Sequence, residues 1–276
     1  MIGQKDAIVR LLQDNDPETV KLVKEQLAAA GDEALGDLAS LVAFEDENVS
    51  RAAREVLDLI ADREAEDEFS LLCHFFGDHH DLERANWMLA RALMPGVDFK
   101  PLEIKVNNWG RQFLLKSSGA ISSRERVIQL ANFMSGELGF RGNTDDYYNE
   151  GNCVLPRVIE SRMGIPITLT LLYMMVAARA GMCVEGINLP GHFIARHGEL
   201  YFDPFHRGRI LTKADCVAIM AKQNLSLQKS HLADASARQI LVRVLANLLY
   251  VYDLKQEREK HARVNSWIHA LTSECS

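Results

Sequence analysis

The sequence predicts an α+β protein that is mainly helical and carries one small antiparallel sheet. Apolar residues recur at helical spacing over most of the 276 residues, whereas alternation with a period of two is confined to residues 183–205. The chain is 47% apolar and 25% charged, which is typical of a globular protein with a sizeable core. Together these observations exclude a disordered, fibrous or all-β protein.

The first half, residues 1–138, is predicted to be entirely helical. Residues 16–27 and 45–57 share an acidic start and an apolar stripe at an offset near 29 residues. This offset predicts HEAT-like hairpins at 1–62, followed by a helical bundle at 65–138. Two ordinary amphipathic helices with aspartate caps are an equally good interpretation, since a repeat array usually needs about three units.

The middle segment, residues 139–232, is predicted to be a separate α+β core. It opens with the longest turn-rich stretch, GFRGNTDDYYNEGN, so we place a domain boundary just before residue 139. A short helix at 155–162 follows, then a break at 164–166 and a strongly apolar helix that ends near Gly181. Three short strands are predicted within CVEGINL, HFIARHG and ELYFDPF.

The last segment, residues 233–276, is predicted to be a helical hairpin. Apolar residues from Ile240 to Tyr252 form a helical stripe, and a charged turn leads to a second helix that contains Trp267. Its spacing resembles one tetratricopeptide unit, although a single unit is usually only a packing element.

The charge balance limits the class of partner. There are 31 Lys and Arg against 38 Asp and Glu, a net charge of −7, which disfavours a general nucleic-acid binder. Residues 1–70 alone hold 18 acidic and 7 basic side chains, a net charge of −11. These acidic helices are expected to add a long-range preference for a basic partner, which weakens as salt rises.

The sequence also favours a cytoplasmic protein that is not bound to a membrane. The start, MIGQKDAIVRLL, lacks the features of a secretory signal, and the uncharged run at residues 164–178 is shorter than the ~20 residues of a membrane span. The five cysteines are scattered without a CxxC motif, so free thiols are expected. Nothing in the sequence indicates a cofactor.

His192 and Asp203 are the candidate catalytic pair. They lie 11 residues apart, and a hairpin that turns at 197–199 would bring them side by side. An aspartate in that position orients an imidazole and stabilises its charged form. The third member of a Cys-His-Asp site would lie at the N-terminus of the buried helix, where the helix dipole lowers a thiol pKa.

Four motifs carry a family resemblance: GNxxDYYN, NxVLxRVxExRxGIPI, LPGHFxxR and DPFxxGxxL. They lie between Tyr147 and Leu211 or begin just before Tyr147. The chain from about 70 to 273 resembles the bacterial SirB-type family, in which a transglutaminase-like core is joined to a tetratricopeptide-like tail. The resemblance implies a papain-like α+β core, related to transglutaminases and cysteine proteases. It places His192 on the transglutaminase histidine and Asp203 on its aspartate.

The resemblance places the nucleophile near residues 166–168, where this sequence has no cysteine. Thr168 carries a weakly acidic hydroxyl, and Cys153 is the nearest thiol, so Cys153 is an alternative nucleophile. Asn152, Thr168 and Gly191 are the candidate substrate-binding residues.

Each candidate also has a plain structural interpretation. His192 can cap a strand start, Asp203 can form an Asx turn, and Cys153 can be a structural thiol. Cys183 and Cys216 are predicted to be small buried residues.

Two groups of side chains suggest a metal site. The first is Cys73, His74, His79 and His80, and the second is His192, His197, His206 and Asp203. The first has no recognised ligand spacing, and we expect no metal at either group.

Three functions remain open from the sequence. The first is a degenerate transglutaminase-like protein that binds a peptide or protein partner in the former substrate cleft, with His192 and Asp203 vestigial. The second is an active hydrolase or acyltransferase that uses His192 and Asp203 with Cys153 or an activated water. The third is a purely helical scaffold. The missing cysteine favours the first, and therefore a protein that is not an enzyme.

Overall fold

The computed structural model describes residues 2–78, 81–120 and 122–273, and it shows the predicted α+β class. Twelve α-helices are seen in the described part of the chain: α1 Ile2–Leu12, α2 Pro17–Ala30, α3 Asp32–Val42, α4 Glu47–Phe75, α5 Leu82–Leu93, α6 Lys100–Ser117, α7 Ser123–Ala131, α8 Leu155–Ser161, α9 Pro166–Arg179, α10 Lys213–Ala221, α11 Ala237–Leu254 and α12 Arg258–Thr272. Short 3-10 turns lie at Glu150–Cys153 and Lys229–Leu232, and a π-helical turn at Asn132–Glu137.

Six short strands form two sheets. They are β1 Arg141–Gly142, β2 Met163–Gly164, β3 Glu185–Ile187, β4 Ile194–His197, β5 Leu200–Asp203 and β6 Arg209–Leu211. Strands β3 to β6 form an antiparallel meander in chain order, and β1 pairs with β2 in parallel. The predicted three-stranded sheet therefore gains a fourth strand, and the parallel pair was not predicted.

The chain divides into two compact units. The first comprises residues up to Phe69 together with Arg91–Val97, and the second comprises Ser70–Ala90 together with the residues from Asp98 onward. In the first unit, α1, α2, α3 and the first part of α4 share a core that includes Leu38, Leu41 and Val56. The predicted break between residues 62 and 65 falls inside the continuous helix α4, which runs from Glu47 to Phe75.

The second unit corrects the predicted boundary at residue 139. Helix α6 packs against α9, so residues 98–138 belong to the same compact unit as the sheet and the C-terminal hairpin. The Arg179 guanidinium of α9 binds both carboxylate oxygens of Glu83 at 2.6 and 2.8 Å, and donates to Asn107 at 2.6 Å. These contacts join α5, α6 and α9 across sequence separations that local patterns do not reveal.

The C-terminal hairpin forms as predicted, from α11 and α12. Within its apolar stripe, Leu241, Val244 and Leu248 are fully buried. Helix α11 packs against α9 and the turn at Glu150–Cys153, so the hairpin is part of the second unit and not a separate domain. Among the described residues, no helix combines the length and the hydropathy that crossing a bilayer requires.

Gly110 permits the close approach of α6 to α9. A Cβ at this position would lie 2.3 Å from the Cβ of Arg179, which is far inside van der Waals contact. We therefore expect Gly110→Ala to lower the free energy of unfolding by about 2 kcal/mol, as overpacking of a tight contact does. Urea denaturation followed by circular dichroism measures this change.

Gly36 provides the matched control, since it lies within α3 and nothing surrounds its added Cβ within 4 Å. Gly36→Ala should leave stability unchanged or raise it by up to ~1 kcal/mol, because alanine has the higher helix propensity. Equal effects of the two substitutions would contradict the close α6–α9 contact.

Candidate functional site

His192 and Asp203 form the predicted pair. Strands β4 and β5 pair Ala195 with Phe202 and turn through Gly198 and Glu199, so the end of β5 lies beside the segment that leads into β4. The imidazole Nε2–H of His192 donates to Asp203 Oδ2 at 2.8 Å. The predicted neighbourhood of these two side chains is confirmed.

The turn before β4 fixes the position of His192. The backbone N–H of His192 donates to the carbonyl of Leu189 at 3.0 Å, and Gly191 has φ +75°. Proline followed by glycine with a positive φ is the pattern of a type II turn. Gly191 is thus required for the backbone conformation that presents the imidazole.

Asp203 has a second imidazole partner, His206. The Nδ1–H of His206 donates to the same Oδ2 atom at 2.7 Å, while Oδ1 accepts the backbone N–H groups of Phe205 and His206 at 3.0 and 3.3 Å. One carboxylate oxygen therefore forms the Asx turn, and the other binds two imidazoles. The Asx turn and the predicted contact with His192 are therefore both formed by the same side chain.

The charge of Asp203 is stabilised although the side chain is buried. Burial alone would raise the pKa of this carboxyl, but the hydrogen bonds and positive charges of His192 and His206 outweigh it and hold the pKa below its usual value. The site therefore contains a buried carboxylate shared by two imidazoles.

Two spaces adjoin His192. A cavity of about 280 Å³ is lined by Gly191, His192, Asp203, His206, Arg209, Ile219, Lys222 and Gln223. A narrow crevice of about 10 Å³ is lined by Tyr147, Ile165, Pro166, Ile167, Gly191, His192, Phe193, Arg243 and Asn247. The crevice places His192 at the N-terminus of α9, where the nucleophile of a thiol enzyme would lie.

Thr168 holds the helix start together by hydrogen bonds. Its hydroxyl is fully buried, donates to the carbonyl of Asn152 at 2.7 Å and lies 3.2 Å from the carbonyl of Ile165, whose backbone N–H donates to Thr168 Oγ1. The single proton of this hydroxyl is therefore directed at backbone carbonyls, and one of its two lone pairs accepts the Ile165 N–H. The structure thus places Thr168 as a capping residue of α9.

Asn152 is buried and organises the turn-rich segment before α8. Its side-chain amide donates to the carbonyls of Asp146 and Tyr147 at 2.7 and 3.0 Å, and its side-chain oxygen accepts from Asn143 at 3.0 Å. All of these bonds are internal to the loop. Asn152 therefore shapes the wall that carries Tyr147, which lines the crevice.

Cys153 has the environment of a structural thiol. It is buried, and its pKa is raised to about 12, mainly by burial and to a smaller extent by the negative charge of Glu150. In the described part of the chain, no hydrogen bond joins Cys153 to His192. A thiol with this pKa is almost entirely protonated near neutral pH, which is the reverse of what a nucleophile needs.

Cys183 and Cys216 differ from each other. Cys216 is fully buried as predicted, whereas the prediction for Cys183 was wrong, because this thiol is exposed and donates to Glu185 at 3.0 Å. Cys183 lies two residues before β3, and alternation with a period of two does not specify the burial of a residue outside the strand.

Thiol labelling tests the burial of Cys153. In a Cys275→Ser background, we expect Cys183 to react quickly with a maleimide, while Cys73, Cys153 and Cys216 react only as the protein unfolds. Mass spectrometry of labelled peptides over time measures each rate. Labelling of Cys153 as fast as that of Cys183 would contradict its assignment as a structural thiol.

Among the described residues, the structure brings together three members of only one of the two predicted groups of potential metal ligands. In the first, Cys73 is buried and His74 is exposed on α4, while His79 and His80 lie outside the described residues. In the second, His192, Asp203 and His206 come together, but the Nδ1 of His197 binds the carbonyl of Cys183 at 2.6 Å. His197 is therefore not part of the site.

Several residues of the crevice were not predicted, among them Arg243 on α11 and Tyr147 in the loop before α8. The DDYYN motif singles out the neighbourhood of Tyr147, but its position beside His192 depends on the fold of the loop. Arg243 follows His192 by 51 residues, and its helix shows only an apolar stripe in the sequence. No local signal connects it with the site.

Comparison with known proteins agrees with this geometry. The family model described as the transglutaminase-like superfamily matches residues 104–246, which include His192, Asp203 and Arg243. A "UPF0162 protein" of Xylella fastidiosa strain Temecula1 is 36% identical over 149 residues, covering 50% of this chain and 53% of the relative. The chain thus spans about half the length of that relative.

Two further relatives show how widely the similarity extends. A "UPF0162 protein" of Vibrio cholerae is 30% identical over 195 residues, covering 68% of this chain and 72% of the relative. "F-box only protein 21" of Mus musculus is 30% identical over 142 residues, covering 47% of this chain and 22% of the relative. No solved structure matches the chain. The matched family model and the bacterial relatives together show that the chain belongs to the transglutaminase-like superfamily.

Proposed function

We propose that this protein binds a peptide or protein partner at the crevice beside His192, without forming a covalent bond to it. The observation that carries the proposal is the state of the nucleophile position. Thr168 occupies the start of α9 with a buried hydroxyl that is committed to Asn152 and Ile165, while the His192–Asp203 pair remains assembled. This combination supports binding in the cleft over covalent chemistry.

The crevice suits a carbonyl or carboxylate oxygen of the partner. It lies at the first turn of α9, where backbone N–H groups have no partner within the helix and the dipole is positive. Its volume of about 10 Å³ accepts a single small group, and the adjoining cavity of about 280 Å³ accepts a side chain. His192 and Gly191 border both spaces.

Arg243 adds a positive charge to the crevice. Burial lowers the pKa of this guanidinium, and its one hydrogen bond in the described structure is a long one, 3.4 Å to Asn188 Oδ1. No carboxylate of the described residues pairs with it within 4 Å. A half-buried cation without a counter-charge favours binding of a negative or strongly polar group.

A binding assay with cleft variants tests the proposal. Peptides selected from an array would be measured by fluorescence anisotropy against the wild-type protein, Arg243→Gln and His192→Ala. We expect each substitution to weaken binding at least about tenfold, because each removes a polar contact in a partly desolvated site. Arg258→Gln, which removes the same charge from an exposed position on α12, should have no effect.

The outcome separates the three functions. Equal affinity of all variants for every selected peptide would overturn binding at the cleft and would favour the helical scaffold. The second candidate, a hydrolase or acyltransferase, is supported by the intact 2.8 Å contact between His192 and Asp203. This second function requires turnover of peptides, or of glutamine donors with amines. If the thiol acts, turnover should be lost in both His192→Ala and Cys153→Ser. If a water acts, turnover should be lost in His192→Ala alone.

The preference for a basic partner rests on the acidic N-terminal helices. Asp58, Asp62 and Glu66 follow one another at i, i+4 spacing on α4, and the pKa of Asp62 is raised first by burial and then by the charges of the other two. Such repulsion is relieved by a positive ligand. Binding of the full-length partner should weaken with salt and in Asp62→Asn, whereas Glu160→Gln on α8 should not change it.

The SirB-type assignment, with HEAT-like hairpins and a tetratricopeptide-like tail, is part of the same proposal, as is a cytoplasmic location. The four motifs between Gly142 and Leu211 and the hairpin of α11 and α12 support the first, and the free thiols of the described cysteines support the second.

A further inference from the structure

We propose that His192, Asp203 and His206 form a binding site for a divalent transition-metal ion, of which zinc fits the donor set best. Nε2 of His192 and Nδ1 of His206 lie 2.8 and 2.7 Å from Asp203 Oδ2, and the three atoms are all within 4.8 Å of one another. No other group of three or more His, Cys, Asp or Glu side chains in the described ranges has this spacing. The inference does not depend on the proposed function.

The donor set has the chemistry of a catalytic or ligand-exchanging zinc site. Two imidazole nitrogens and one carboxylate oxygen fill three tetrahedral positions at about 2.0–2.2 Å from the ion, and a fourth position is left for an exchangeable ligand. Tetrahedral geometry separates such donor atoms by ~3.3 Å, so each nitrogen must move about half an ångström away from Oδ2. His206, whose side chain is 61% exposed, has the freedom to do so.

The surroundings hold the donors in place as the outer contacts of metal sites do. Asp203 Oδ1 is fixed by the backbone N–H groups of Phe205 and His206, so the carboxylate keeps its orientation when Oδ2 exchanges its partners. The Phe205 ring packs edge-on against both imidazoles, with centroid distances of 6.1 and 5.1 Å. Each histidine binds the ion as a neutral imidazole whose proton lies on the ring nitrogen that is not a ligand, so a proton is released to solvent only from an imidazole that was doubly protonated before the ion entered.

The cavity next to the three residues determines which exchangeable ligand the ion would take. It is lined by Arg209 and Lys222 as well as by the donors. Arg209 is paired with Asp215 at 2.9 Å, whereas no ion pair of Lys222 is seen in the described part of the chain. Lys222 therefore favours an anion, such as a carboxylate, in the fourth position, and its repulsion of the ion predicts a weaker site than a structural zinc site.

Metal titration tests the inference. Untagged protein, freed of metal by a chelator and kept reduced, is titrated with Zn²⁺ in competition with a chromophoric chelator, and with Co²⁺ while its visible d–d absorption is recorded. We expect one ion per chain with the intense spectrum of a tetrahedral site. His206→Ala and Asp203→Asn should weaken binding by roughly a hundredfold or more, and His197→Ala, at a histidine outside the site, should not.

Each result supports or overturns the site. His206 is exposed, so His206→Ala should fold normally, and its circular dichroism and melting temperature confirm this independently of Asp203→Asn. Loss of the tight ion in a folded His206→Ala supports the inference. Absence of binding, binding that is equal in wild type and His206→Ala, or loss in His197→Ala overturns it and leaves an adventitious ion only. Peptide binding at the crevice is measured in the metal-free protein, so the two proposals fail separately.

Discussion

Replacing Thr168 with valine should lower the free energy of unfolding by about 3 kcal/mol. The substitution keeps the shape of the side chain but removes the hydroxyl that donates to Asn152 and accepts from Ile165. Both backbone groups would then lie unpaired in the interior, and each unpaired group costs about 1–3 kcal/mol. Urea denaturation monitored by circular dichroism gives the change in stability.

Thr170 is the matched control two residues further along α9. Like Thr168 it is fully buried, but its hydroxyl has no hydrogen-bond partner in the described structure. Thr170→Val removes an unsatisfied polar group, so it should leave stability unchanged or raise it. A loss in Thr168→Val as small as that in Thr170→Val would show that the Thr168 hydroxyl is not committed to capping and would restore it as a nucleophile candidate.

The second large effect is expected at Asp203. In the metal-free protein, Asp203→Ala should lower the free energy of unfolding by about 3 kcal/mol or more, because the side chain is 3% exposed and accepts four hydrogen bonds. The substitution also releases His192, so binding at the crevice should be lost. Asp203→Asn retains one oxygen for the backbone turn and should have an intermediate effect on stability.

His206→Ala separates the two halves of this cluster. This substitution removes the contact between the His206 imidazole and the Asp203 carboxylate. The imidazole is mostly exposed, so water replaces the hydrogen bond, and the loss in the free energy of unfolding should be below ~1 kcal/mol. Thermal and urea unfolding of the three variants at neutral pH check the order. If Asp203→Ala cost no more than His206→Ala, the buried carboxylate would not be what holds the end of β5.

Several elements were predictable because their signals are local. The buried helix α9 follows from a long uncharged, mostly apolar run after a proline, and the hairpin of β4 and β5 follows from alternation around Gly198. Given that hairpin, the 11-residue spacing of His192 and Asp203 was enough to predict their contact. The stripe of α11 likewise predicted the C-terminal hairpin.

Other elements were missed because their cause lies elsewhere in the chain. Strand β6 has three residues, too few to show a period, and pairs with β5 only because the turn after Asp203 returns the chain. The boundary predicted at residue 139 came from a turn-rich composition that resembles a linker. In the structure Asn152 binds this loop internally, and α6, which precedes it, packs against α9.

The sequence by itself determined the class of fold, the His192–Asp203 pair and the absence of a cysteine at the start of α9, since backbone periodicity, turn type and residue identity are properties of short segments. Only the tertiary structure decided that the Thr168 hydroxyl caps α9, that Cys153 is buried with a raised pKa, and that His206 and Arg243 reach the site. Burial and hydrogen bonding depend on which distant segments meet, and that is settled when the chain packs.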